Sequence, residues 1–299
     1  MANGRILREG IFKDIWIQPA SGDAGGALGA ALFTWYKYLN NDRKANESND
    51  YTFSPYLGPE YSNEKIQEFL DRKNIPYENL NSDELTERVA DLIAKQNVIG
   101  WFQGRMEFGP RALGARSIIA DARSPEMQEV MNLKIKLRES FRPFAPSVLK
   151  EKAKDYFYIN PDHNSPYMLL TFGVREEHRK PVNSDGKIQV LDKLKIQRSD
   201  IPAVTHIDFS ARPQTVDLDN NPLYYAVIKK FDEKYGCPLI INTSFNVRGE
   251  PIVCTPEEAF RCFMRTNMDY LVLGNFLLDK TKQEKINVDT KVVQEFELD

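Results

Sequence analysis

Cysteine and histidine are scarce, three of each in 299 residues, and that scarcity excludes several chemistries. Cys237, Cys254 and Cys262 are odd in number and form no C-x-x-C pair, which argues against a disulfide framework or a zinc site and leaves them as buried thiols. Neither His163 nor His178 stands at metal-ligand spacing from another candidate. Cys254 has no local histidine partner and no nucleophile elbow appears, so covalent catalysis is not expected. No apolar run reaches the roughly 18 residues that a membrane span needs, and the opening residues lack a signal-peptide pattern, so the expected location is cytoplasmic. Basic residues are not in excess: 40 Lys and Arg against 43 Asp and Glu give a net charge of -3. That balance disfavours a nucleic-acid partner. No internal repeat is visible.

What is present is a local concentration of cations. Residues 101–149 hold Arg105, Arg111, Arg116, Arg123, Arg138 and Arg142 with Lys134 and Lys136, threaded through Gly104, Gly109, Pro110, Gly114, Pro143 and Pro146. Guanidinium groups bind phosphate and carboxylate bidentately, and glycines let backbone N–H groups approach a ligand, so an anion site accounts for both enrichments. A solvated basic face is the plainer alternative. The interleaved Trp101, Phe102, Phe108, Ile118, Ile119, Phe141 and Phe144 favour half-buried cations, which usually have anionic partners.

Read in order, the chain predicts a strand pair over residues 2–12, a strand over 15–18 and a helix over 24–39. The turn Ser21-Gly22-Asp23-Ala24-Gly25-Gly26 opens that helix as either a phosphate-binding turn or a plain Asp23 N-cap. A polar, Gly/Pro-punctuated stretch over 40–65 reads as linker. Helices are expected over 63–72 and 82–96, a strand over 98–103, and a helix from Ser124-Pro125 to about Leu133. Lys136 and Arg138 share a side only in extended chain, because in a helix they diverge by about 200°. The helix must therefore end before Lys136. Strands over 145–149 and 167–174, a helix over 150–158 and a charged excursion over 176–199 follow. The last third alternates: strand 203–208, helix 222–235 stopped by Gly236, strand 238–242, helix 256–266 behind a Thr255/Glu258 capping box, strand 270–278. The pattern is α/β with a mixed sheet.

Two polar clusters stand at strand exits, where open α/β folds place ligands. Ser244 and Asn246, beside Arg248, either aim hydroxyl and amide at one ligand or close a local turn. His206, before Arg212, is either a ligand donor or a structural histidine. Cation, hydroxyl and amide without an evident general base suit phosphoryl or nucleotidyl transfer, where positioning and charge neutralisation carry the catalysis.

The runs QPASGDAGGALGAAL, GRMEFGPRALGARSI, FRPFAPSVL, SARPQTV and NTSFNVRGEPIVCTPEEA resemble the nodulation-type (NodU/CmcH) O-carbamoyltransferases, in the right order and over nearly the whole chain. The resemblance implies an α/β protein in which a partial actin-like ATPase (ASKHA) fold, over 1–45, is joined by a linker over 46–80 to a YrdC-like mixed α/β domain over 81–285, with a tail over 286–299. It implies that the YrdC-like domain makes carbamoyl-adenylate from ATP and carbamoyl phosphate, for transfer to a hydroxyl of a small-molecule acceptor. The family signature K-x-R…S-x-N matches Lys136, Arg138, Ser244 and Asn246.

By the same resemblance Lys136, Arg138 and Arg142 are the catalytic cations, and Arg105, Arg111, His206, Arg212, Ser244, Asn246 and Arg248 bind substrate and ATP. ATP and Mg are the implied cofactors. Asp23 is implied as an iron ligand, but only together with the two histidines of an H-x-x-x-H motif that this chain lacks. The first half of the transfer domain is absent from the sequence, so the chain is expected to be a fragment or split-gene product. The rival expectation is a non-catalytic subunit that needs a partner chain carrying that half; a homo-oligomer is compatible with either.

Overall fold

Short apolar runs between well-capped helices build one mixed sheet. The computed structural model describes residues 2–13, 15–43, 55–160, 163–182 and 196–283. In chain order the helices are α1 (Ala2–Glu9), α2 (Asp23–Phe33), α3 (Asn63–Arg72), α4 (Ser82–Ala94), α5 (Met127–Met131), α6 (Ala153–Tyr156), α7 (Pro222–Tyr235) and α8 (Pro256–Arg265). The strands are β1 (Glu78–Asn79), β2 (Ile99–Phe102), β3 (Arg116–Ala120), β4 (Ala145–Leu149), β5 (Phe172–Gly173), β6 (Ser210–Ala211), β7 (Gln214–Val216), β8 (Leu239–Ser244), β9 (Tyr270–Leu273) and β10 (Phe276–Asp279). Among the described residues the large sheet runs β1-β10-β9-β2-β3-β8-β4-β7, with β5-β6 a separate pair. β2 to β9 and β4 to β7 are parallel, whereas β3 and β4 both run antiparallel to β8. Strands β3, β4 and β7 thus begin at the end of the sheet where β8 finishes.

Local chemistry explains the elements that match expectation. Asn81 caps α4 through a capping box with Glu84, and Thr255 caps α8 through one with Glu258. Pro222 opens α7 and Gly236, left-handed at φ 67°, closes it. Leu85, Val89, Leu92 and Ile93 are buried along one face of α4, which packs against α7.

Several expectations are corrected. Residues 2–9 form a helix rather than half of a strand pair, because Gly4 lies against Thr171 and Asn3 Nδ2 donates to the Leu169 carbonyl at 3.2 Å. Residues 15–18 form no strand; Ile15 and Ile17 pack against the core. Within the stretch expected as linker over 46–80, α3 buries Ile66, Phe69 and Leu70, and β1 pairs with β10. Residues 203–208 are not a strand, since Pro202 starts a 3-10 turn and Thr205 Oγ1 donates back to the Ile201 carbonyl. The strand over 167–174 shrinks to Phe172–Gly173. The helix over 150–158 contracts to a 3-10 turn and the short α6. The strand over 270–278 is a hairpin, turned by Gly274 at φ 55°. Residues 286–299 and most of the charged excursion lie outside the described residues. Along α2 no residue is buried, and Trp16, Phe33, Trp35 and Tyr38 are exposed.

Candidate functional site: a cationic cavity at the end of the sheet

A cavity of about 360 Å³ opens where β8 ends and β3, β4 and β7 begin. Four arginines line it, Arg111, Arg138, Arg142 and Arg212, together with His206 and the β8 residues Asn242, Thr243 and Ser244. Burial pushes the Arg111 guanidinium below its ordinary pKa. Burial, then the charge of Arg111, brings Arg212 down to about 10. Burial and Arg142 bring Arg138 to about 10. These cations are crowded and partly desolvated, an arrangement that an entering anion relieves.

Each arginine reaches the cavity by its own device. Arg111 sits on the Gly/Pro loop, which is folded around a buried carboxylate: Glu107 Oε1 accepts the backbone N–H groups of Leu113, Ala115 and Arg116 at 2.7, 2.8 and 3.2 Å. Those amides are already occupied, so the loop offers an anion its guanidinium rather than the backbone cradle that the glycines suggested. Gly114 is required here, because at φ 102° a side chain would meet the Tyr224 ring.

Arg138 is set by the end of a helix. The predicted start at Ser124-Pro125 is displaced, with Glu126 standing as N-cap of α5. The helix continues as a π-turn over Asn132–Lys136 and stops at Leu137, which is left-handed at φ 51° and ψ 48°. Lys136 and Arg138 are therefore not in extended chain, and the helical turn includes Lys136. The left-handed residue separates them, as a helix running through Arg138 would not. Arg138 Nε donates to Asn132 Oδ1 at 2.6 Å, and its guanidinium lies 4.9 Å from the Phe144 ring centroid. The Nδ2 of Asn132 holds the carbonyls of Ser140 and Arg142 at 3.0 and 2.8 Å.

Lys136 turns the other way. Its Nζ donates to Asn246 Oδ1 at 2.7 Å, the Asn246 carbonyl at 2.9 Å and Ser244 Oγ at 3.2 Å. Ser244 Oγ donates to Asn246 Oδ1 at 2.7 Å. Burial first, and the Arg138 charge second, lower Lys136 to about 7. The Ser244/Asn246 pair closes a local turn, and Ser244, but not Asn246, lines the cavity.

His206 has an assignable tautomer. Ser210 Oγ donates its single hydrogen to Asp208 Oδ1 at 2.6 Å, so His206 Nδ1, 3.0 Å away, must carry the proton and donate. Burial and Arg212 hold the ring below its ordinary pKa despite the opposing pull of Asp208. The neutral ring keeps Nε2 as an acceptor.

The remaining candidates fall elsewhere. Arg105 is exposed and donates to the Leu57 carbonyl at 3.1 Å. Arg248 is exposed and lies 3.9 Å from Glu139 Oε1. Neither lines the cavity. Arg116 and Arg123 are structural: Arg116 is buried over the Phe102 ring, and Arg123 forks onto Asp121. Asp23 is the exposed first residue of α2, whose N-cap is Gly22, so it is not the cap. Among the described residues no cluster of three His, Cys, Asp or Glu could hold a metal ion, and Asp23 on its own does not make an iron site. Sequence reasoning missed Glu107, Asn132 and Asn242; for Asn242 the available signal was an amide closing an otherwise apolar strand.

The family model described as Carbamoyltransferase C-terminus matches residues 90–280, and that described as Carbamoyltransferase N-terminus matches residues 1–32. The uncharacterized protein sll1178 of Synechocystis sp. is 56% identical over 302 residues, covering 100% of this chain and 49% of its own length. Nodulation protein NolO of Bradyrhizobium diazoefficiens is 39% identical over 279 residues, 93% of this chain and 47% of its own. The chain spans about half the length of these curated relatives. A structure of full-length HypF in the phosphate- and nucleotide-bound form overlaps 70% of the chain and 22% of its own at 15% identity, with a TM-score of 0.41, too loose a match to carry more.

Proposed function

The chain belongs to the carbamoyltransferase family, and we propose that its cationic cavity takes carbamoyl phosphate and the triphosphate of ATP to form carbamoyl-adenylate. The observation that carries the reading is the convergence of Arg111, Arg138, Arg142 and Arg212 on one cavity. Phosphoryl and nucleotidyl transfer ask the protein chiefly to position anions and to neutralise charge that develops on oxygen, and fixed guanidinium groups in a partly dry cavity do both. Water opens carbamoyl phosphate to carbamate and phosphate; a carbamate oxygen then attacks the α-phosphorus of ATP and pyrophosphate leaves. Mg bound to the ATP would offset part of the charge of its phosphates beside the four guanidiniums. In this reading Arg138 and Arg142 hold the α-phosphate of the adenylyl group being transferred, Arg111 and Arg212 hold the second anion, and Lys136 fixes Ser244 and Asn246.

Transfer of the carbamoyl group to a hydroxyl-bearing small molecule is proposed as the following step, with the YrdC-like and ASKHA-like assignments of the two parts as its framework. Incubation of the folded chain with ATP and carbamoyl phosphate tests the first step. Pyrophosphate release that depends on both substrates is expected; no release, where a longer relative releases it, refutes retained activity and favours a subunit that needs a partner chain.

A further inference from the structure

Asn242 is 2% exposed, lines the cavity, and has an amide orientation fixed by groups that can act in one way only. Its Nδ2 donates to the Ala112 carbonyl at 3.2 Å and to Gln214 Oε1 at 2.9 Å. Gln214 is itself fixed, because its Nε2 donates to the Leu113 carbonyl at 2.7 Å. Carbonyls only accept, so turning either amide over would set acceptor against acceptor. Ser147 Oγ completes the network, donating to Gln214 Oε1 at 2.6 Å and, 3.0 Å from Asn242 Nδ2, sharing one of that amide's two hydrogens.

Asn242 Oδ1 is thereby left buried with no hydrogen-bond partner. Native structures rarely leave a buried acceptor unmatched. The same cavity is lined by four guanidiniums, donors that suit phosphate oxygens. An orphan acceptor on one of its lining residues fits a ligand that carries an N–H beside its phosphoryl group. Carbamoyl phosphate has an amino group there, whereas acetyl phosphate has a methyl group and inorganic phosphate has nothing.

We propose that Asn242 Oδ1 accepts an N–H of the carbamoyl amino group, and that Asn242 is the residue that selects carbamoyl phosphate over other acyl phosphates. The proposal rests on the carbamoyl-phosphate reading of the cavity. The exocyclic amine of adenine offers the same donor chemistry, so the test has an arm for each.

Carbamoyl phosphate, acetyl phosphate and inorganic phosphate are titrated into the full chain and its Asn242→Ala variant, with the fold of each checked by thermal denaturation; ATP and ITP are compared in the same way. The wild type should prefer carbamoyl to acetyl phosphate by about tenfold or more, the scale of one buried hydrogen bond left unmade. Asn242→Ala should weaken carbamoyl phosphate alone, bringing the two acyl phosphates within about twofold, with the ATP-to-ITP ratio unchanged. The proposal is overturned if the variant keeps its carbamoyl preference, or if it loses the ATP preference instead. Equal binding of the two acyl phosphates by the wild type, a comparison that needs no variant to fold, overturns the selectivity while leaving the anion site standing. Failure of the wild type to bind any of the three overturns both.

Discussion

Lys136 Nζ donates to Asn246 Oδ1 at 2.7 Å across 110 residues of chain. That bond ties the loop after β8 to the helix end that carries Arg138. The oxygens of Ser244 and Asn246 surround the amine, and they favour its ammonium form against the pull of burial. The result is a cation whose charge is balanced near neutrality beside a cavity edged by Ser244.

Anion binding should therefore take up protons. Lys136, at about 7 against an ordinary 10.5, is largely neutral at pH 8 without ligand, and an anion next to Ser244 stabilises the ammonium. Titration calorimetry with carbamoyl phosphate in buffers of differing ionisation enthalpy should show uptake at pH 8 that fades by pH 6 and is absent in Lys136→Met. The sign for stability follows: between about 7 and 10.5 the folded chain binds fewer protons than the unfolded one, so this residue makes ligand-free stability rise with pH there.

Arg138→Ala should lower pyrophosphate release by about a hundredfold or more, since it removes a charge-assisted phosphate contact. Arg138→Lys should not restore the rate. An ammonium has neither the planar fork nor the Nε hydrogen that Asn132 holds at 2.6 Å. Near-normal rates in either variant would remove Arg138 from the chemistry.

Glu107→Ala should unfold the Gly/Pro loop before it touches anything else. One carboxylate receives the amides of Leu113, Ala115 and Arg116, and stranding them should cost about 3 kcal/mol in urea unfolding. Glu107→Gln keeps one acceptor oxygen and should cost about 1 kcal/mol.

Asn132→Ala should weaken carbamoyl-phosphate binding by about tenfold although Asn132 does not line the cavity, because its amide anchors both the Arg138 side chain and the Arg142 carbonyl. Unfolding of the same variant by urea should fall by about 2 kcal/mol. Unchanged affinity at lowered stability would make Asn132 a packing residue only.

The sequence made the helices with strong caps legible: Thr255 with Glu258, and Pro222 with Gly236, bracket α8 and α7 where expected. Family resemblance put Lys136, Arg138, Ser244 and Asn246 in one set, whereas the extended-chain spacing expected for Lys136 and Arg138 fails at the left-handed Leu137. What the sequence could not carry is decided by distant partners. The helix over 2–9 depends on contact with residues 169–171, and the hairpin at Gly274 depends on β1 and β9 flanking β10. Six arginines in one segment read alike; only burial and partners separate the structural Arg116 and Arg123 and the exposed Arg105 from the three that reach the cavity. Glu107 was invisible for the same reason, since its three amides come from a loop that folds back on it.

Titration of carbamoyl phosphate into the wild type, Arg212→Ala and Arg105→Ala tests the cavity assignment most directly. The chain should bind one equivalent, Arg212→Ala should bind about tenfold or more weakly, and Arg105→Ala, whose exposed guanidinium donates to the Leu57 carbonyl away from the cavity, should bind as the wild type does. Full affinity in Arg212→Ala together with loss in Arg105→Ala would place the anion outside this cavity and contradict the account.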